Sequence, residues 1–328
     1  MKSRVAAWLL VVSSVAIGWT GQSWAEQKTA RVGILTFFAF KDDPTLNFWF
    51  KPFRRALVEQ GWTEGKNLSF EYRSAQSDPS KFEAAASELA RLNVDIILAV
   101  GAPAVHAAYA ATRSIPIVAN DFTNDPVAEG YVKSYGKPDG NLTGTFLDAP
   151  DFAGKWFELL KVIVPKLSRV CVLWDPSPGN NHLQAVRSVA NSLAVKLKII
   201  EVRTPEDIGR AFTSLRGCPQ AMIILPSPLT YVQSARLAEL AAKHRLPATS
   251  MARAFADAGG VVAYGPDLVS TFQSNAAMVD KILRGAKPGQ LPVERPTKFH
   301  LVINLKAAKI LGITIPATVL QQADEVIQ

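Results

Sequence analysis

From residue 31 onward, short runs of β-branched and other apolar residues alternate with longer stretches whose apolar positions recur every three or four residues. The short runs fit buried strands and the longer ones fit amphipathic helices, so their alternation is that of repeated β-α-β units around parallel sheets. The pattern predicts strands at 31–37, 68–72, 96–100, 115–119 and 142–145, with helices at 47–60, 79–92 and 103–112 between them. The helix at 79–92 is the most sharply written. Phe82, Ala85, Ala86, Leu89, Ala90 and Leu92 share a face, and Asp78-Pro79 supplies an N-cap followed by proline at the first helical position.

A second series of the same kind follows. Strands are predicted at 169–174, 198–202, 221–225 and 261–264, and helices at 182–193, 205–215 and 232–244. Thr204-Pro205-Glu206-Asp207 is again a cap, a proline and an acidic first turn, which suits the positive end of a helix. A helix at 268–284, a Pro-rich connector at 287–296, a strand at 300–303 and a helix at 305–311 then cross back between the two series. Residues 146–168 receive no element. The chain has 328 residues, more than one hydrophobic core usually serves. The expectation is an α/β protein of two Rossmann-like lobes with parallel sheets, joined by a hinge: 26–148 plus 267–296, and 149–266 plus 297–328.

Ahead of the first strand the pattern changes. Lys2 and Arg4 precede an apolar stretch at 5–17, and Ser23-Trp24-Ala25 offers small residues around a cleavage point after Ala25. That is the order of a secretory signal peptide. A membrane span needs about 20 apolar residues, and Ser13, Ser14, Thr20, Gln22 and Ser23 interrupt a shorter run here. No cysteine stands near Ala25 to carry a lipid. Export to the periplasm as a soluble protein is the expectation.

With 48% hydrophobic and 20% charged residues the composition excludes a disordered or fibrous chain. Loss of Lys2 and Arg4 takes the net charge from +8 to +6. Lys281, Arg284, Lys287, Arg295, Lys298, Lys306 and Lys309 make the last quarter the most basic, but they are interleaved with apolar residues at helical and strand spacing. That reads as a solvated face rather than a nucleic-acid stripe, and no nucleic-acid partner is expected. Cys171 and Cys218 either pair in an oxidising compartment or remain thiols, Cys171 serving as a small apolar residue within its strand.

Catalytic and cofactor patterns fail one by one. Gly130 and Gly136 have the wrong spacing for a phosphate loop, and Pro138 follows Lys137. The first strand-to-helix turn, Thr36-Phe37-Phe38-Ala39-Phe40, lacks the glycines that bring a backbone close to a pyrophosphate. There is no G-x-S-x-G elbow, and His106, His182, His244 and His300 stand apart without metal-ligand spacing. The sequence therefore implies neither enzyme nor cofactor nor metal.

What it offers is a set of loops at the carboxyl ends of parallel strands, where open α/β sheets bind ligands. Gly101-Ala102-Pro103-Ala104 puts a small-residue turn directly before a helix, where free N–H groups and the helix dipole receive an anion; the same turn also serves a fold with no ligand. Asn120-Asp121-Phe122-Thr123-Asn124-Asp125-Pro126 concentrates polar side chains at the mouth of the expected cleft. Phe50, Phe53 and Leu57 have helical spacing and read as core, whereas Phe37, Phe38 and Phe40 are candidates for an apolar ligand wall. From the second lobe, Asp175-Pro176-Ser177, Pro226-Ser227-Pro228 and Ser250-Met251-Ala252-Arg253 end strands and should face the first. The run at 259–267 delivers Asp267 where the chain crosses, either to a cationic group of the ligand or to the hinge.

These segments resemble the substrate-binding proteins of ABC transporters, in the tryptophan-binding-like group. The run E-Q-G-W-T-E-G-K-N-L at 59–68 is similar to the family's end of its first helix, and Gly140-Asn141-Leu142-Thr143-Gly144 to its G-N-x-T-G strand. The stretches 244–248, 259–267, 285–288, 296–299, 301–309 and 323–327 continue the match in order. The resemblance implies a type I periplasmic-binding-protein-like fold and a monomer that captures a small solute and hands it to a permease in the inner membrane. It implies ligand-facing residues in the loop after the first strand, at Gly101 to Ala104, at Asp125-Pro126, from Thr145 to Asp148, and at Asp175, Pro226 and Asp267. Members commonly carry Thr or Ser where this chain has Ala102, which takes a hydroxyl out of the anion site. A receptor-coupled sensor of the same fold and a doubly wound enzyme are the competing functions; a transcription regulator would need a DNA-binding module where the signal peptide stands.

Overall fold

The computed structural model describes residues 29–37, 44–76, 78–147, 149–215 and 219–328. The signal-like 1–25, Phe38, Phe40, Asp148 and Cys218 lie outside the described residues.

The first lobe is a sheet of five parallel strands, β1 (Ala30–Thr36), β2 (Leu68–Ser74), β3 (Ile96–Val100), β4 (Ile117–Asp121) and β5 (Leu142–Phe146), in the order β2-β1-β3-β4-β5. Three helices connect them: α1 (Pro44–Glu59), α2 (Phe82–Arg91) and α3 (Ala102–Ala111). Strand alternation sorts the core into two layers. Ile97 and Ala99 pack with Phe82, Leu89 and Val105 under α2 and α3. Ile96 and Leu98 pack on the other face with Phe50, Phe53 and Leu57 of α1, so these three residues are core, as their spacing suggests.

The second lobe holds α4 (Ala149–Ile163), β6 (Arg169–Trp174), α5 (Asn181–Ser192), β7 (Lys196–Glu201), α6 (Pro205–Thr213), β8 (Ala221–Ile224), α7 (Pro228–Val232), α8 (Ser234–Lys243), β9 (Ala248–Ser250), α9 (Arg253–Asp257) and β10 (Val262–Pro266). The chain then returns to the first lobe as α10 (Leu268–Leu283), whose Phe272, Ala276 and Val279 pack beside α1 on the first sheet. It re-enters the second lobe as β11 (Phe299–Asn304), α11 (Leu305–Ile310), α12 (Ala317–Leu320) and β12 (Glu325–Ile327). The second sheet runs β12-β11-β10-β9-β8-β6-β7, parallel throughout except where β11, arriving from the other lobe, pairs antiparallel with β10.

Two differences from the sequence pattern bear on the site. The strand expected at 115–119 sits at 117–121, because polar Asn120 and Asp121 continue the ladder opposite Thr145 and Phe146 rather than opening a loop. Residues 149–163, left unassigned above, form α4, which buries Phe152, Trp156, Phe157 and Leu160 against the second sheet. Cys171 is a free, buried cysteine among the apolar side chains of β6, and burial pushes its thiol up to about 12.

Three crossings join the lobes, after β5, after β10 and before β11, and backbone bonds lace them together. Phe146 N–H donates to Glu294 O at 3.0 Å, Glu294 N–H to Gly144 O at 2.9 Å, and Asp267 N–H to Lys298 O at 2.9 Å. Gly144 sits in this lacing with φ of +147°, and a Cβ there would fall 2.2 Å from Ala119 O. Gly144→Ala should therefore destabilise the protein by about 3 kcal/mol or more, read as a lower urea midpoint. Gly154, inside α4 with open space around its Cα, is the opposite case. Gly154→Ala should stabilise by about 0.5–1 kcal/mol.

Candidate functional site

Because the strands of both sheets up to β10 run parallel, their carboxyl ends and the turns that follow gather on one side of each lobe, and these sides face each other across a cavity of about 130 Å³. The first lobe supplies Thr36 and Phe37 after β1, Val100, Gly101, Ala102 and Pro103 at the β3–α3 turn, and Asn120, Phe122 and Thr123 at the end of β4. The second supplies Pro178 after β6, Pro226, Ser227, Pro228 and Tyr231 around the start of α7, and Met251 after β9. Leu268 and Phe272 of α10 close the side near the crossings. The volume corresponds to on the order of ten water-sized groups, the scale of a small organic molecule.

The β3–α3 turn has a specific build. Gly101 adopts φ of +91°, a left-handed conformation that a side chain disfavours. Its N–H donates to Asn120 O at 2.8 Å and its carbonyl accepts from Val105 N–H at 3.0 Å, which closes the first helical turn. No side chain caps α3 and no acidic residue occupies its first turn. Pro103 has no N–H, so the N–H groups of Ala102 and Ala104 are the first-turn donors that the helix itself does not use. Across the cavity, Ser227 is fixed between two prolines and caps α7: its Oγ accepts from Thr230 N–H at 3.0 Å, while Thr230 Oγ1 accepts from Ser227 N–H at 3.0 Å.

Of the residues singled out from sequence, Phe37, Gly101, Ala102, Pro103, Pro226 and Ser227 meet on the cavity wall. Phe37 stacks on Phe82 with ring centroids 6.1 Å apart. Six others lie off that wall because local structure engages them. Ala104 turns its methyl into the first lobe's core. Asp125 accepts from Val127 N–H at 2.8 Å and from Tyr135 Oη–H at 3.4 Å, pinning its own turn. Thr145 is buried and donates to Asn275 Oδ1 at 2.9 Å. Asp175 accepts from Ser177 N–H and Oγ–H at 2.9 and 3.0 Å. Ser250 Oγ accepts from Ala252 N–H at 3.2 Å. Asp267 caps α10 by accepting from Val269 N–H at 3.0 Å, and lines an adjoining depression with Arg253 and His300. The rest of the main wall, Asn120, Phe122, Thr123, Tyr231, Met251 and Phe272 among it, was not singled out as ligand residues. Asn120, Phe122 and Thr123 stand in the polar segment after the fourth strand, the one sequence signal for them; Tyr231 and Phe272 lie within α7 and α10, where the sequence pattern marks no ligand residue.

Beside the cavity the lobes are bolted together by polar contacts. Asn181 Nδ2, at the start of α5, donates to Asn124 Oδ1 at 3.0 Å and Thr123 O at 3.3 Å. His182 Nε2 lies 2.7 Å from Phe122 O, and since a carbonyl only accepts, Nε2 carries the proton of this bond. Burial pushes the His182 pKa down to about 4, against the opposing pull of that carbonyl. Asp121 Oδ1 and Oδ2 accept from Thr123 N–H at 2.8 Å and Asn124 Nδ2 at 3.0 Å, yet burial outweighs these bonds and raises its carboxyl to about 7. Phe122 itself packs against the second lobe's aromatic cluster around Phe152 and Trp156.

The two shifts act on stability with opposite signs. For His182 the unfolded chain takes up a proton near 6.5 and the folded one only near 4, so its contribution is complete above about 6.5 and lost as the pH falls to about 4; the loss is about 3 kcal/mol. For Asp121 the folded chain holds its proton up to about 7 and the unfolded one releases it near 3.8, so its contribution is complete below that value and lost as the pH rises to about 7. In the wild type the two slopes offset each other. Relative to it, Asp121→Asn should lose stability as the pH falls from about 6.5 to about 4, and His182→Phe should lose stability as the pH rises from about 4 to about 7. Urea unfolding at half-unit pH steps checks both signs.

The chain is similar to proteins of known kind over nearly all of its described length. It is 26% identical over 274 residues to a tyrosine-binding protein of Clostridioides difficile (strain R20291), covering 82% of this chain and 78% of that one. A conserved domain protein from Vibrio cholerae superposes with a TM-score of 0.84 at 27% identity, over 91% of this chain and all of the other. The ABC domain solved in complex with L-Trp from Streptococcus pneumonia superposes with a TM-score of 0.82 at 24% identity, over 92% of this chain and all of the other. The two-lobed α/β architecture is of the type I periplasmic-binding-protein-like kind. Residues 32–327 match the family model for ABC transporter substrate binding proteins, and the chain belongs to that family.

Proposed function

We propose that this chain is the extracytoplasmic binding component of an ABC importer, exported by the segment 1–25, and that it captures a small organic acid with an apolar or aromatic body between its lobes. The observation that carries this reading is the cavity itself: walls from both lobes, predominantly apolar, with the first turn of α3 at its edge. The N–H groups of Ala102 and Ala104 and the positive end of α3 receive the carboxylate, while Phe37, Tyr231, Met251 and Phe272 surround the apolar part. The relatives that bind tyrosine and L-Trp support an aromatic body. The units 26–148 plus 267–296 and 149–266 plus 297–328 move as two bodies about the laced crossings. The ligand favours the closed arrangement because it touches both walls only there. A monomeric closed form is then read by the permease.

The reading is tested by native mass spectrometry of freshly purified 26–328 together with thermal unfolding against L-tyrosine, L-tryptophan, phenylpyruvate, 4-hydroxyphenylacetate and aliphatic acids. Ligand at a hundred times its Kd should add about 2.7 kcal/mol and raise Tm by several degrees. No co-purified molecule and no shift with any of these would overturn it. Ala102→Ser, which adds a hydroxyl at the edge of the anion site, should tighten binding of the acid by about three- to tenfold, the worth of one hydrogen bond. Isothermal titration calorimetry reads that change.

A further inference from the structure

Five buried side-chain polar atoms lack a hydrogen-bond partner among the described residues, and of these only Asn120 Nδ2 belongs to the wall of the main cavity. Asn120 is 2% exposed. Folded proteins rarely leave such a donor unpaired, because it has lost its water and gained nothing in return. A leucine would fill the space at no such cost, so the amide needs a reason to be there.

Its setting supplies one. Asn120 is the penultimate residue of β4, held between Val100 and Thr145 in the sheet. Alternation along the strand puts its side chain on the same face as Val118, the face that α10 covers and from which Phe272 and Leu268 join the wall. Its own carbonyl receives Gly101 N–H at 2.8 Å, and Gly101 is the N-cap of the ten-residue α3. The orphan amide is thus tied to the start of α3, which among the described residues opens uncapped onto the cavity. Two kinds of unspent donor, the Nδ2 of Asn120 and the first-turn N–H groups of α3, serve one corner of an otherwise largely apolar chamber.

We infer that Asn120 is a specificity-determining residue: its Nδ2 donates to a carboxylate oxygen of the solute, and the site selects organic acids over neutral molecules of the same shape. This rests on the reading of the cavity given above. In the empty protein the amide is unpaired and costs stability; in the complex it is paired. A residue kept only for the fold would behave in the reverse way.

The test uses the 26–328 protein and three probes, phenylpyruvate, 4-hydroxyphenylacetate and L-tyrosine, each beside the carboxamide that replaces its carboxylate, with Kd from calorimetry and Tm of the ligand-free protein. Asn120→Leu should raise the Kd of an acid at least tenfold, change that of its carboxamide less than threefold, and raise the ligand-free Tm by about 2–4 °C. Asn120→Asp keeps the shape and places a carboxylate against the ligand's own, so acid binding should fall further than in Asn120→Leu. Acid affinities within threefold of wild type in both variants would overturn the assignment, as would a lowered ligand-free Tm in Asn120→Leu, which marks the residue as structural. If the wild-type protein binds none of the probes, the reading of the cavity fails and this assignment with it; if the wild type binds and the variants do not differ, only the role of Asn120 fails.

Discussion

The structure depends on one constraint, the common direction of its strands. Parallel strands deliver their carboxyl ends to one edge of a sheet, and each following helix begins there with N–H groups that its own ladder cannot use. In a single lobe that edge would face water. Here the chain leaves the first sheet after Phe146 and returns to it as α10, so the two carboxyl edges are turned toward each other and the unused donors face a shared, predominantly apolar space. The capacity for binding follows from topology before any particular side chain is considered.

The crossings hold this arrangement in a way that suits movement. The crossing segments are tied to one another by a few backbone bonds, Phe146 to Glu294 and Glu294 to Gly144 at the edge of the first lobe and Asp267 to Lys298 between two crossings, while the apolar cores of the two sheets meet chiefly through Phe122. Bonds of this kind can pivot without exposing a core. The contacts of Asn181 and His182 with the segment Phe122 to Asn124 are different in kind. They join polar groups across the lobes, with Phe122 seated in the second lobe's aromatic cluster, and they place two buried titratable groups of opposite proton preference within one short stretch of contact.

Much of the fold was legible in the sequence because it is written in local periodicity. Strands such as 96–100 and 169–174 carry continuous apolar runs that both faces of a parallel sheet demand, and Asp78-Pro79 and Thr204-Pro205 announce helix starts through their own hydrogen-bonding chemistry. The element that escaped, α4, has Phe152, Trp156, Phe157 and Leu160 at helical spacing, but it follows β5 almost at once, and the sequence Asp148-Ala149-Pro150 suits a turn as well as a helix start. Asn120 and Asp121 escaped as strand residues for another reason. Their polarity is that of a loop, and the partners that make them strand, Thr145 and Phe146, are distant in sequence.

The candidate site divides along the same line. The sequence by itself determined the two-lobed α/β class, the gathering of loops at strand ends, the small-residue turn at Gly101 and Ala102, and Phe37 and Pro226-Ser227 as wall residues, since each follows from a pattern within a few positions. Only the tertiary structure decided that Asp125, Asp175 and Asp267 spend their carboxylates on neighbouring N–H groups. It alone decided that His182 is a buried bolt between lobes, and that Asn120, a residue of the cavity wall, keeps a buried amide Nδ2 without a partner. Whether a polar group is satisfied depends on everything packed around it, and that sum is not written at any one position of the chain.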